Sequence, residues 1–279
     1  MQKYTILTLL LVTFGTCMHA ATLTHRYAFN SDADDSIGLL NGTLSTNGSN
    51  TEAPQFTTDT PAAASVGFTR YSIEFGMTVG TKASSINFGA GDHTKIFDGV
   101  AGSFSYWFKA DQLLNGRDLV SNVSGTTGLR TRLRNDGKLR LVGAGMSSPV
   151  DFTFANAVTA GTWHHLVVAW DDANGTLKIA LDGSIKTQGF TAGALEDPQR
   201  LIAGNFSENG TELTTQFDGQ LFDLQMYGGM LSDADIASLY NNPGLSLSDL
   251  SIPEPRHYSL LISLLVLGHM QARRRRPAN

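Results

Sequence analysis

A single cysteine, Cys17, occurs in the 279 residues, and it falls in an amino-terminal stretch patterned like a removable leader. Disulfide frameworks and thiol chemistry are thereby excluded for the rest of the chain, which must be held by packing, alone or with a metal. Charged residues are also scarce, at 16%, while glycine is abundant at 29 residues. That balance disfavours long helices and favours short strands joined by tight turns. No apolar run approaches the roughly 20 residues that cross a bilayer comfortably; residues 258–270 supply only 13. Between the ends there is no Pro-rich linker, charge block or internal repeat, so one domain is the simplest parse. A Gly-rich phosphate loop and a defensible Ser-His-Asp order are absent as well.

Basic residues are few where they would matter for nucleic acid. Residues 21–255 hold 14 Lys and Arg against all 25 Asp and Glu, a balance of −11. An acidic domain of this kind is a poor partner for nucleic acid. At the amino terminus, Lys3, an apolar stretch over 4–14 and the small residues Ala20 and Ala21 form a secretory signal peptide, residues 1–20. Phe14-Gly15-Thr16 is a poor lead-in to a lipidated Cys17.

Period-2 alternation recurs in between. "SFSYWFKA" (103–110) sets Phe104, Tyr106 and Phe108 against Ser103, Ser105 and Trp107, and "TWHHLVVAW" (162–170) is apolar on both faces, as a central strand requires. Asn135-Asp136-Gly137 and Asp182-Gly183 each separate two alternating runs and predict hairpins. Ser232 and Asp235 form a capping-box pattern ahead of Ile236, Leu239 and Tyr240, predicting one short peripheral helix that Pro243 stops. The expected fold is all-β, a two-sheet antiparallel jelly-roll sandwich over 22–242. A spacer over 243–251 and a terminal segment over 252–276 follow.

The series "GSFSYWFKA", "LRNDGKLRL", "AGTWHHLVVAWDDANGTLKIALDGS", "LIAGN" and "FDGQLFDLQMYGGMLSDADIASLYN" resembles, in order, the laminin-G-like, concanavalin A-like jelly roll. "HRYAFNSDADDSIGLLNGTL" is similar to that family's first strand and turn. The resemblance implies a buried core position for Trp163 and a function among carbohydrate binding, adhesion, hydrolysis and lyase chemistry. The Glu-x-Asp-x-x-Glu pattern of its laminarinase-like members is absent, and Glu208, Glu212, Asp171 and Asp172 read as loop carboxylates. His164 and His165, adjacent on a strand, point to opposite faces and cannot share one metal. Calcium is the cofactor the resemblance allows, on Asp32, Asp34, Asp35 and Asp223, although Phe222 stands where the family pattern has its first acid.

Arg130, Arg132 and Arg134 alternate along one strand, and Lys138 and Arg140 continue across the turn, so five cations are expected on one hairpin face. They either pair with acidic neighbours or meet an anionic ligand such as a sulfated or uronic acid polysaccharide. The tail, Pro253-Glu254-Pro255, an apolar run and Arg273-Arg274-Arg275-Arg276, resembles the PEP-CTERM sorting signal. That resemblance implies an exosortase-type processing partner, a transient inner-membrane stage, and release to the cell surface or extracellular matrix. The expected function is an exported, non-catalytic surface or matrix protein that binds extracellular polysaccharide or another matrix component, and no nucleic acid. A polysaccharide hydrolase or lyase on the same fold, or a purely structural matrix protein, are the alternatives.

Overall fold

The computed structural model describes residues 21–46, 53–62, 64, 71–76, 84–89, 101–124, 127–143, 146, 148–193, 195, 201–205 and 215–250. The stretch read as a signal peptide, the Pro253 to Arg276 motif, Glu208 and Glu212 lie outside these residues. In chain order the strands are β1 (Thr22–Tyr27), β2 (Thr43–Thr46), β3 (Gln55–Thr57), β4 (Ser72–Phe75), β5 (Ser84–Asn87), β6 (Ala101–Ala110), β7 (Arg117–Ser124) and β8 (Thr127–Leu133). Then come β9 (Leu139–Gly143), β10 (Val150–Phe152), β11 (Trp163–Asp171), β12 (Thr176–Leu181), β13 (Ser184–Gly189), β14 (Ile202–Ala203) and β15 (Gly219–Gly228). Two helices close the described chain, α1 (Asp233–Asn241) and α2 (Leu247–Leu250).

Among the described residues the strands form two antiparallel sheets. The first runs β13-β12-β11-β6-β15-β4-β3, with β1 also on β15, and the second runs β10-β9-β8-β7-β14-β5-β2. Both central expectations for the first sheet hold: β6 and β11 pair along their whole length, Trp163 opposite Lys109 through to Asp171 opposite Ala101. Their inward parity, Phe104, Tyr106, Phe108, Leu166, Val168 and Trp170, meets Leu129, Leu133, Leu139 and Leu141 of the second sheet in the main core. Burial of each such side chain contributes about 1.5–3 kcal/mol.

The predicted hairpins are present. Gly137 turns β8 into β9 at φ +73°, and a Cβ there would sit 2.6 Å from the Val158 carbonyl oxygen, so the residue is fixed by conformation and by space. The predicted helix is α1, with Ser232 as N-cap and the reciprocal Asp235 bonds of a capping box.

The apolar outward parity of β11 has a cause that periodicity did not supply. Val167, Ala169 and Ala180 pack with Leu231, Ile236 and Leu239 in a second cluster that also takes in Ala21 and Tyr227. Small alanines let the helix approach the sheet, and α1 shields that outer face as the second sheet shields the inner one. The stretch read as a spacer belongs to this cover. Leu247 packs against the second cluster, and Gly244 O, Leu245 O and Asp249 receive hydrogen bonds from Arg26, Gln225 and Arg26 respectively. The domain therefore extends to at least Leu250.

Candidate functional site: an aromatic pocket at the edge of the helix cover

The outer face of the first sheet is covered only in part. Where α1 ends, a row of rings crosses the strands: Phe222 on β15 lies opposite Trp107 on β6, which lies opposite His165 on β11. Tyr240, in the last turn of α1, stacks on Trp107 with centroids 5.8 Å apart and planes 16° apart. Trp163 opens β11 on the same outward parity and meets Phe222 edge-on at 6.1 Å. Its indole N–H donates to Asp59 Oδ1 at 3.1 Å. Asp59 is also paired with Lys109, whose ammonium sits 5.7 Å from the Trp163 ring centre.

These rings surround a pocket of about 670 Å³, lined by Trp107, Trp163 and Tyr240 together with Pro61, Thr162, His164, Asp182 and Asn241. Its rim is the Asp182-Gly183 turn. Gly183, at φ +77°, leaves Tyr240 room, since a Cβ there would lie 3.2 Å from Tyr240 Cδ1. Such a cavity, apolar walls with a few convergent polar groups, is the usual form of a small-molecule or glycan site.

Trp163 is a correction. It was expected in the core, yet it is only half-buried, because α1 stops short of the first residue of β11. Trp107 carried a usable signal: on β6 it shares its parity with Ser103 and Ser105, the face that alternation marks as outward.

The ionisable groups of the pocket are already engaged. Asp182 accepts from His164 Nδ1 at 2.7 Å and from the His165 backbone N–H at 2.8 Å. His164 Nε2 accepts the Thr159 N–H at 3.1 Å, so that ring carries its proton on Nδ1 and has no lone pair left for base chemistry. The two histidines do lie on opposite faces, as strand geometry demands. His165 is buried under Trp107 and Tyr240, 5.0 and 6.1 Å away. Its Nε2 meets Ser105 Oγ at 2.8 Å, while Nδ1 has no hydrogen-bond partner.

Burial pushes His165 down to about 3, because a charged ring would leave a dry N–H unpaired. A group neutral when folded and protonatable when unfolded makes the unfolded state bind more protons below pH 6.5, so its contribution falls as pH falls. Between pH 7.5 and 5 the chain is expected to lose about 2 kcal/mol more stability than its His165→Gln variant. Urea unfolding at the two pH values measures this, and parallel losses would refute it.

The five cations share the outward face of the second sheet, as their alternation indicates, but each is met by a carboxylate. Arg130 grips Asp118 through two bonds of 2.6 and 2.7 Å; Arg132 Nε is 3.2 Å from the same residue and donates from Nη2 to Gly116 O at 2.7 Å. Arg140 pairs bidentately with Asp151 at 2.6 and 2.8 Å. Arg134 lies 3.7 Å from Asp151 and 4.0 Å from Asp136, and Lys138 bonds Asp136 at 2.6 Å. This face is on the opposite sheet from the aromatic pocket.

The four aspartates considered for calcium do not converge, and among the described residues no three His, Cys, Asp or Glu side chains are arranged to hold a metal. Asp35 is occupied by His25 Nδ1 at 2.6 Å and by the backbone N–H groups of Arg26, Ile37 and Gly38. Burial alone would raise its carboxyl, but these donors bring it down to about 2. Asp32 caps the Asp34 N–H in an exposed turn. Asp223 is bound by Arg26 through Nε at 2.8 Å and Nη2 at 3.2 Å.

The structure is thus an antiparallel jelly-roll sandwich with an aromatic pocket on one outer face. Residues 81–237 match the Laminin_G_3 family, and the chain belongs to the concanavalin A-like lectin/glucanases superfamily. No curated protein sequence matches it. Among solved structures it is similar to domain 4 of AbnA, a GH43 extracellular arabinanase from Geobacillus stearothermophilus, in complex with arabinotriose. That likeness has 21% identity and a TM-score of 0.59 over 79% of this chain and 99% of that one. It is also similar to the binding domain of botulinum neurotoxin DC in complex with SialylT, at 13% identity and a TM-score of 0.56, over 80% of this chain and 51% of that one. The chain spans about half the length of the neurotoxin domains. At these identities the likeness establishes the fold.

Proposed function

We propose that this chain is a non-catalytic carbohydrate-binding protein, exported by its signal peptide and sorted by its PEP-CTERM-like tail to the cell surface or extracellular matrix. The observation that carries the binding reading is the pocket walled by Trp107, Trp163 and Tyr240. Flat rings offer large, rigid, weakly hydrated surfaces to the C–H faces of a sugar, while Asn241, Thr162 and Asp182 supply hydroxyl partners at the rim. Arabinotriose on the arabinanase domain and SialylT on the neurotoxin domain support a glycan ligand on this fold. The non-catalytic reading rests on the pocket's carboxylates and His164 being held by protein donors, which leaves neither a free acid and base pair nor a free imidazole. Binding is proposed to be independent of calcium, since Asp35 and Asp223 are committed to nitrogen donors.

Titration calorimetry of the full chain against a panel of oligosaccharides, with a chelator present, tests this. Trp163→Ala and Tyr240→Ala are each expected to weaken binding at least about tenfold, or 1.4 kcal/mol. Replacing the exposed Leu39 with Ala is expected to change nothing. Unchanged affinity in both aromatic variants would remove the pocket from consideration, and release of reducing ends would revive the hydrolase.

A further inference from the structure

The pocket's electrostatics narrow its ligand. Lys109, the cation beside it, is paired with Asp59, and the other oxygen of Asp59 takes the Trp163 N–H. Asp182, which accepts from the His164 ring and a backbone amide, places a carboxylate at the rim. A carboxylate or sulfate entering here would lose water, find no uncommitted cation among the described lining residues, and face Asp182 within a domain already at −11. The arginine row that would suit an anion lies on the outer face of the other sheet, with its own carboxylates. An uncharged sugar meets none of these costs, because its hydroxyls donate to the remaining lone pairs of Asp182 and its apolar face covers Trp163.

Resting on the reading of this pocket as a carbohydrate site, we infer that it selects uncharged polysaccharide chains and rejects uronic acid and sulfated ones. This reverses the acidic ligand that the arginine alternation suggested.

The test is affinity electrophoresis and calorimetry of the full chain with neutral chains (arabinan, galactomannan, dextran) and acidic ones (alginate, polygalacturonate, dextran sulfate), between about 20 and 300 mM salt. At least one neutral chain is expected to bind, with affinity changing less than about twofold across that range and falling at least about tenfold in Trp163→Ala. Every acidic chain is expected to bind at least about tenfold more weakly. Tighter acidic binding that still depends on Trp163 would overturn the selectivity while leaving the pocket as the site. Acidic binding that survives Trp163→Ala and falls steeply with salt would overturn both, placing the ligand on the arginine face. Failure of every neutral chain to bind would also refute the inference.

Discussion

Replacing Arg26 with alanine is expected to destabilise the domain by about 3–5 kcal/mol, the cost of stranding a buried charge, and to lower the melting temperature by roughly 10 °C. Arg26 leaves β1 on the outer face of the first sheet and is almost wholly enclosed, and Asp223 is 2% exposed. Burial opposes the charge on the guanidinium, but Asp223 and Asp249 outweigh it and hold Arg26 above its ordinary value. One side chain thereby ties β1, the bulge in β15 and the terminal segment, bonding Asp223, Asp249 and Gly244 O. Asp223 is available because the register with β6 shifts between Phe222 and Gln225 and the residue takes φ +50°, a bulge that re-aims a side chain. Asparagine tolerates that backbone, so Arg26→Met combined with Asp223→Asn removes both charges without added strain. That double variant is expected to be more stable than Arg26→Met alone, since the nearly sealed Asp223 charge is gone while the more exposed Asp249 keeps its Ser246 donors. Urea midpoints for the three variants decide it, and an Arg26→Ala loss below about 0.5 kcal/mol would contradict the network's role.

What periodicity could and could not disclose follows from the range of each interaction. The alternation in 103–110, the Asp-Gly turn at 182 and the Ser232 capping box are local, and each appears as read. Trp163 was misplaced because parity names a face without saying what covers it. Whether that face is core or pocket depends on α1, some 70 residues later, and on where its last turn ends. The same limit hid the partners of Asp35 and Asp223. A cluster of acids in sequence looks alike whether it awaits a cation or is met by His25 and by Arg26 from a strand 197 residues away. The departure at Phe222, which looked like the loss of a ligand, places a ring beneath Trp163. Of the arginine row, the shared face was legible and the partners were not, since Asp118 and Asp151 lie on neighbouring strands.

Asp118→Ala is the second large loss expected, about 2–4 kcal/mol, and it separates a structural arginine row from a ligand-binding one. Asp118 is fully enclosed, and it anchors Arg130 through two bonds and Arg132 through a third contact. Its own backbone N–H bonds Thr215 O, which ties β7 to the segment leading into β15. Without the carboxylate, Arg130 and Arg132 lose the Asp118 pairing while Arg132 still lies opposite Arg140, and like charges in cross-strand positions repel. Partial exposure lets the guanidinium groups turn toward water, which keeps the loss below that expected at Arg26. Asp151→Ala, at the exposed end of the row, is expected to cost less than about 1 kcal/mol because solvent screens that pair. If urea unfolding found both variants equally mild, Asp118 would not be needed to hold the row together. The acidic polysaccharide would then return as the partner to test.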